Sequence, residues 1–165
     1  MPIAIPRATA LALALSFGLI LVHMGDVMAA DETANKAKIR KAFDAWASGT
    51  GSPYDLLADD VEWTITGNSA AARTYPSRAA FIGEVIKPFN ARMSVGLKPA
   101  IRNIYAEGDT VIVFFDAAGT AKDGRPYKNT YAWFLDLRQG RIVKASAFFD
   151  SIAFDELWKL PVAAD

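Results

Sequence analysis

Residues 107–150 read EGDTVIVFFDAAGTAKDGRPYKNTYAWFLDLRQGRIVKASAFFD. Three turn signals punctuate this stretch: Glu107-Gly108-Asp109-Thr110, Lys122-Asp123-Gly124-Arg125 and Arg138-Gln139-Gly140-Arg141. Gly beside Asp or Gln supplies the positive φ that tight hairpin turns require. Between the signals lie runs rich in β-branched and aromatic residues, at 110–121, 126–138 and 141–150, and the pattern extends back to residue 98. Four consecutive strands joined by tight turns predict an antiparallel meander.

Outside the meander the periodicity changes. Ile39, Ala42, Phe43 and Trp46 recur at helical spacing, predicting a helix over 32–48 that Gly49 and Gly51 terminate. Ser52 and Pro53 suit the cap and first position of a second short helix reaching Leu57. Val61, Trp63 and Ile65 alternate with Glu62, Thr64 and Thr66, which predicts one half-buried strand, followed by a loop over 67–76. Ser77 caps a third helix carrying Phe81, Val85, Ile86 and Phe89, which Pro88 should kink or end. A last helix spans Ser151 to Trp158. Three helices around one early strand, then a meander, define an α+β domain with helices on one face of a curved antiparallel sheet.

Turn lengths then set which side chains share a face. With Gly108-Asp109, Asp123-Gly124 and Gln139-Gly140 each as a two-residue turn, Asn103 opposes Phe114, Asp116 opposes Tyr131 and Trp133 opposes Ser146. One face then gathers Asn103, Phe114, Asp116, Asn129, Tyr131, Trp133, Phe148 and Asp150. Apolar walls with a few polar groups are the composition of a small-molecule pocket. Two carboxylates in such a pocket can divide acid and base roles, because burial disfavours charge and one ionised carboxylate raises the pKa of the other.

Composition narrows the chemistry. Of the residues, 52% are hydrophobic and 22% charged, with 18 basic and 18 acidic side chains. A neutral chain lacks the basic surplus of a nucleic-acid partner. Cysteine is absent and His23 is the single histidine. Residues 1–30 have the layout of a secretory signal: Arg7, an apolar run from Ala8 to Val22, and small residues at Ala29 and Ala30 for cleavage. Export to the periplasm or beyond the cell is the expectation, with no membrane association after cleavage. Residues 31–165 would then form one domain without His or Cys, which rules out triads built on His and leaves Asp, Glu, Tyr and Lys for acid–base work. No metal site or cofactor is expected.

Three segments carry a resemblance to a known family: Ala58-Asp-Asp-Val-Glu-Trp-Thr-Ile-Thr-Gly67, Asp123-Gly-Arg-Pro-Tyr-Lys-Asn-Thr-Tyr-Ala-Trp133, and Gly140-Arg-Ile-Val through Phe148-Phe-Asp-Ser-Ile-Ala-Phe-Asp-Glu-Leu-Trp158. They resemble SnoaL-like proteins of the nuclear transport factor 2-like superfamily. The resemblance implies a cone in which a bent sheet wraps a helix-lined pocket, and a homodimer formed through the sheet's outer face. The C-terminal half is most similar to limonene-1,2-epoxide hydrolase, which works with two aspartates. By that match Asp150 would be the base and Asp116 the acid, with Phe114 standing where the relative has an Arg. Ketosteroid isomerases, of the same superfamily, also place carboxyl groups in an apolar cone.

The sequence thus predicts a small apolar ligand and cofactor-free isomerisation, hydration or hydrolysis. Asp116, Asp150, Tyr131 and Asn129 are the candidate catalytic residues. Trp63, Asn103, Phe114, Trp133 and Phe148 are the candidate ligand contacts. The alternative is a non-catalytic small-molecule-binding or protein-interaction module of the same fold.

Overall fold

The computed structural model describes residues 31–162. The signal expected at residues 1–30 lies outside them. The strands are β1 (Leu57–Ile65), β2 (Thr74–Tyr75), β3 (Met93–Glu107), β4 (Thr110–Ala121), β5 (Pro126–Arg138) and β6 (Arg141–Phe149). They form one sheet in the order β2-β1-β6-β5-β4-β3. The meander is as expected, but the sheet is mixed, not wholly antiparallel: β1 runs parallel to β6, with Trp63 beside Ala145 and Ile65 beside Ala147. The expected loop over 67–76 also contains β2, an edge piece that pairs Tyr75 with Trp63.

Helix α1 occupies residues 31–48. A single 3-10 turn, Pro53–Leu56, follows with Ser52 as its cap. Helix α2 covers residues 78–90 and opens under Ser77, whose hydroxyl accepts from the Ala80 N–H at 3.1 Å. Its middle, Ile82–Ile86, is π-helical. Pro88 lies just beyond, lacks an N–H to donate, and the helix runs on only to Asn90. Helix α3 is Ser151–Trp158.

Two bulges and one odd-length loop set the register. Gln139 and Gly140 have φ of 52° and 71°, as a two-residue type I′ turn requires, so Arg138 opposes Arg141 as expected. Val143 is then an extra residue, because Asp136 opposes Lys144 while Leu137 opposes Ile142. Trp133 therefore faces Ala147 instead of Ser146, and Tyr131 faces Phe149 instead of Phe148. The turn after β4 has three residues, not two. Ala121 N–H donates to the Arg125 carbonyl at 2.9 Å, and Gly124 takes φ 85° at the left-handed position. Phe115 therefore opposes Tyr131, and Asp116 opposes Thr130. Between β3 and β4, Asn103 opposes Phe114 as expected, but Arg102 bulges and Ala100 takes the place opposite Asp116.

The inner face carries Val111, Val113, Phe115, Ala117, Tyr131, Trp133, Leu135 and Ala147, all buried. Helix α1 lays Ile39 and Phe43 on it, with the Phe43 ring 4.9 Å from Phe115 and 5.6 Å from Trp133. Helix α2 contributes Phe81, Val85 and Phe89. Burying each of these large side chains stabilises the fold by about 1.5–3 kcal/mol.

Candidate functional site

A cavity of about 50 Å³ lies between the inner face of the sheet, α1 and α2. Its aromatic walls are Trp46, Tyr54, Trp63, Phe81, Tyr131 and Trp133, with Ile65, Val85 and Leu97 among the aliphatic ones. Every lining side chain is aromatic or aliphatic, and no carboxylate or cation is among them. Trp63 stacks on Phe81 at 4.2 Å and meets Trp133 edge-on at 5.1 Å, while Trp46 stacks on Trp133 at 6.0 Å. The cavity shares Trp46, Tyr54, Ile86, Phe89 and Leu97 with a larger cleft of about 520 Å³ reaching Ser48, Asn90 and Lys98. The cleft falls in the size range of small-molecule sites. The two adjoin along these shared residues, the cleft carrying the polar groups and the cavity the aromatic wall.

The polar groups in the cavity wall are few. The Tyr54 hydroxyl makes no hydrogen bond to a described residue. Tyr54 keeps exposed surface because it borders the cleft, yet protein packs closely round the phenol. Burial pushes its pKa above the ordinary value, with the nearby Tyr127 adding to the rise. It therefore stays neutral, with a proton to donate. The indole N–H groups of Trp63 and Trp133 are buried without an acceptor among the described residues. Tyr131 is tied off, its hydroxyl 3.1 Å from that of Tyr127. Burial, then the neighbouring Tyr127, holds the Tyr131 phenol well above its usual pKa.

Four of the residues expected in the site lie inside the fold. Trp63, Tyr131 and Trp133 line the cavity, and Asn129 is buried but does not line it. Asn129 acts as a clamp. Its Nδ2 donates to the Tyr127 hydroxyl at 2.9 Å and to the Asp150 carbonyl at 3.0 Å, and its Oδ1 accepts from the Asp150 N–H at 2.9 Å.

The other five depart from expectation. The three-residue loop turns Phe114 and Asp116 to the outer face of the sheet, and the Val143 bulge does the same to Phe148. Asp116 accepts from Arg102 Nε at 2.7 Å and from the Thr130 hydroxyl at 2.7 Å. These hydrogen bonds, Thr130's first, hold its pKa below the ordinary carboxylate value, opposite to the rise expected in an apolar pocket. Phe114 lies under the Arg102 guanidinium at 5.0 Å, and Phe148 rests against Phe134 at 5.8 Å. Asn103 is exposed. Asp150 caps α3, accepting from the Ile152 N–H at 2.9 Å. Asp116, Asn129 and Asp150, three of the four expected catalytic residues, do border one outer depression, together with Lys98, Lys128 and Thr130, but none of them lines the cavity with Trp63 and Trp133.

The meander-centred reading missed Trp46, Tyr54, Phe81, Phe89 and Leu97 as site residues. Trp46, Phe81 and Phe89 were legible as apolar helix positions. Tyr54 directly follows the Ser52-Pro53 cap, which fixes the turn that aims it, but nothing in the local pattern marks its target.

A six-stranded mixed sheet curled against three helices, with an aromatic pocket at its inner face, is the architecture of nuclear transport factor 2-like proteins. Solved structures share this fold. An NTF2-like protein from Burkholderia thailandensis is 20% identical, covers 76% of this chain and 98% of its own, and has a TM-score of 0.62. Bal32a, from a soil-derived mobile gene cassette, is 18% identical over 78% and 99%, with a TM-score of 0.65. TerC, co-crystallised with polyporic acid, is 22% identical over 76% and 98%, with a TM-score of 0.60. No curated protein matches the chain. The family model for the SnoaL-like domain matches residues 39–145, and the chain belongs to that family.

Proposed function

We propose that this SnoaL-like chain binds a compact, largely apolar, ring-bearing molecule along the path from the open cleft to the aromatic cavity. The observation that carries the reading is the wall of that cavity: wholly aromatic and aliphatic, joined to an open cleft, and free of charge. The precedent within the fold is TerC, co-crystallised with an organic molecule, polyporic acid. Trp63 and Trp133 form the ligand platform. Tyr54 and Tyr131 are the lining residues that carry a hydroxyl proton, so any proton transfer at this site falls to them. Asp116 and Asp150, held by Arg102, Thr130 and the start of α3, have structural work in this reading.

Two further parts of the proposal concern context. The outer face of the sheet exposes Phe134 and Phe148, whose rings touch, and this apolar patch supports a homodimer formed there. The layout of residues 1–30 supports export of the domain.

The test is a titration of the protein with tetralin, a two-ring hydrocarbon, followed by tryptophan fluorescence. Saturable quenching in the wild type is expected. Leu97→Trp, which fills the passage between cleft and cavity, should abolish quenching while leaving the thermal transition in place. No saturable response in the wild type, or an undiminished one in Leu97→Trp, overturns the reading.

A further inference from the structure

The cavity is too small for the class of ligand proposed above. Its volume of about 50 Å³ is roughly a third of the ~150 Å³ that holds one benzene ring. The adjoining cleft, at about 520 Å³, has the room. A ring reaches Trp63 and Trp133 from the cleft only if a residue bordering both spaces moves aside.

Five side chains border both: Trp46, Tyr54, Ile86, Phe89 and Leu97. Four are held. Trp46 stacks on Trp133 at 6.0 Å, and the Tyr54 ring lies 5.8 Å from Phe81. Phe89 meets Tyr127 edge-on at 5.3 Å and stacks on Phe154 at 5.8 Å. Ile86 belongs to the hydrogen-bonded body of α2. Leu97 is different. It sits on β3, the outermost strand of the sheet, whose backbone has a ladder partner on one side only.

The ladder beside Leu97 is also broken twice. Met93 opposes Ala121, Val95 opposes Thr120 and Lys98 opposes Ala118, so β3 carries one extra residue before Val95 and another before Lys98. The Ser94 hydroxyl donates towards the Ala121 carbonyl at 3.0 Å and the Thr120 carbonyl at 3.2 Å. The carbonyls of Val95 and Gly96 fold down over Gly119, where a Cβ would come within 2.6 Å and 3.2 Å of them. Above this seat Val95 is 50% exposed, and the space that a side chain at Gly96 would take is open. Interrupted backbone pairing and exposure mark a segment that opens at low cost.

We infer that residues 94–97 form a flap over the cavity, and that this conformation is its closed state. Lifting the flap off Gly119 and Thr120 carries Leu97 out of the wall and merges cavity and cleft into one site large enough for a ring. This inference rests on the ligand-binding reading above and adds the movement that reading requires. The bulges let the strand edge release locally while the β4–β5 ladder keeps Tyr131 and Trp133 in place.

The chain contains no cysteine, so an engineered disulfide is unambiguous. Val95→Cys with Thr120→Cys joins directly opposed positions and pins the flap. One preparation is then compared with itself, oxidised and reduced, in the tetralin titration. Oxidation should weaken binding at least about tenfold, because it removes the binding-competent state, and reduction should restore it. Thr64→Cys with Thr74→Cys, opposed at the far edge of the sheet, should bind equally in both states. Hydrogen exchange on the unsubstituted protein reads the movement itself. Tetralin should speed exchange at residues 94–97 and slow it around Trp63 and Trp133. Equal affinity of the oxidised and reduced Val95/Thr120 variant, or exchange at 94–97 that tetralin slows, overturns the flap and leaves the binding reading intact. A wild type that tetralin does not quench overturns both.

Discussion

Asp116 and Tyr131 point to opposite sides of the same two-stranded ladder, because Phe115 pairs with Tyr131 and Asp116 pairs with Thr130. The phenol enters the cavity wall, and the carboxylate emerges beside Arg102 and Thr130. A separation made by strand alternation cannot be undone by a side-chain rotation.

Asp116→Asn should therefore leave tetralin binding unchanged and lower thermal stability at neutral pH. The hydrogen bonds from Thr130 and Arg102 depress the folded-state pKa. Their contribution is present above the unfolded carboxylate value of about 3.9 and is lost as the pH falls through the lower, folded value. The Tm gap between wild type and variant should be open at pH 7 and close in acid. Loss of ligand binding in the variant would contradict the outer placement of Asp116.

Asn129→Ala should destabilise the protein by about 2–3 kcal/mol, because it strands the Asp150 N–H and carbonyl and removes the donor to the Tyr127 hydroxyl. Urea denaturation measures this directly. Hydrogen exchange should rise first in α3, whose start the clamp holds. A stability loss confined to a few tenths of a kcal/mol would show that the clamp is dispensable.

Gln139 adopts a left-handed backbone conformation that suits Asn better. Gln139→Asn creates the Asn-Gly pair preferred in type I′ turns, and should raise stability by about 0.5–1 kcal/mol. A neutral or negative change in the urea midpoint would count against the turn assignment.

Phe148 is 44% exposed and touches Phe134 on the outer face. Phe148→Glu should convert a dimer to a monomer in sedimentation while leaving the cavity's affinity for tetralin intact. A wild-type protein that sediments as a monomer at roughly micromolar concentration, the range of an ordinary interface, would remove the homodimer from the proposal.

Much of the architecture was legible in local pattern alone. The turn signals at Gly108, Gly124 and Gly140 bounded β4, β5 and β6 to within a residue, because few residues tolerate the backbone those turns need. The helical spacing of Phe43 and Trp46, and of Phe81, Val85 and Phe89, marked the faces that cover the sheet. The absence of cysteine, and of histidine beyond His23, restricted the available chemistry.

Which side of the sheet each residue serves was decided only by tertiary structure. A strand alternates with a period of two, so one extra residue moves every side chain beyond it to the other face. The three-residue loop at Lys122-Asp123-Gly124 and the bulges at Arg102 and Val143 each add one residue. Their signals in sequence are indistinguishable from those of a two-residue turn or a regular strand, because the difference lies in which hydrogen bonds the folded ladder closes. Asp116, Phe114 and Phe148 moved outward on that account. Trp133 and Tyr131 remained inside, and Tyr54 and Leu97 joined them from segments more than thirty residues distant in the chain. The parallel pairing of β1 with β6 has the same origin. It depends on where a long crossover returns the chain, a matter of packing the whole core and not of any local run of residues.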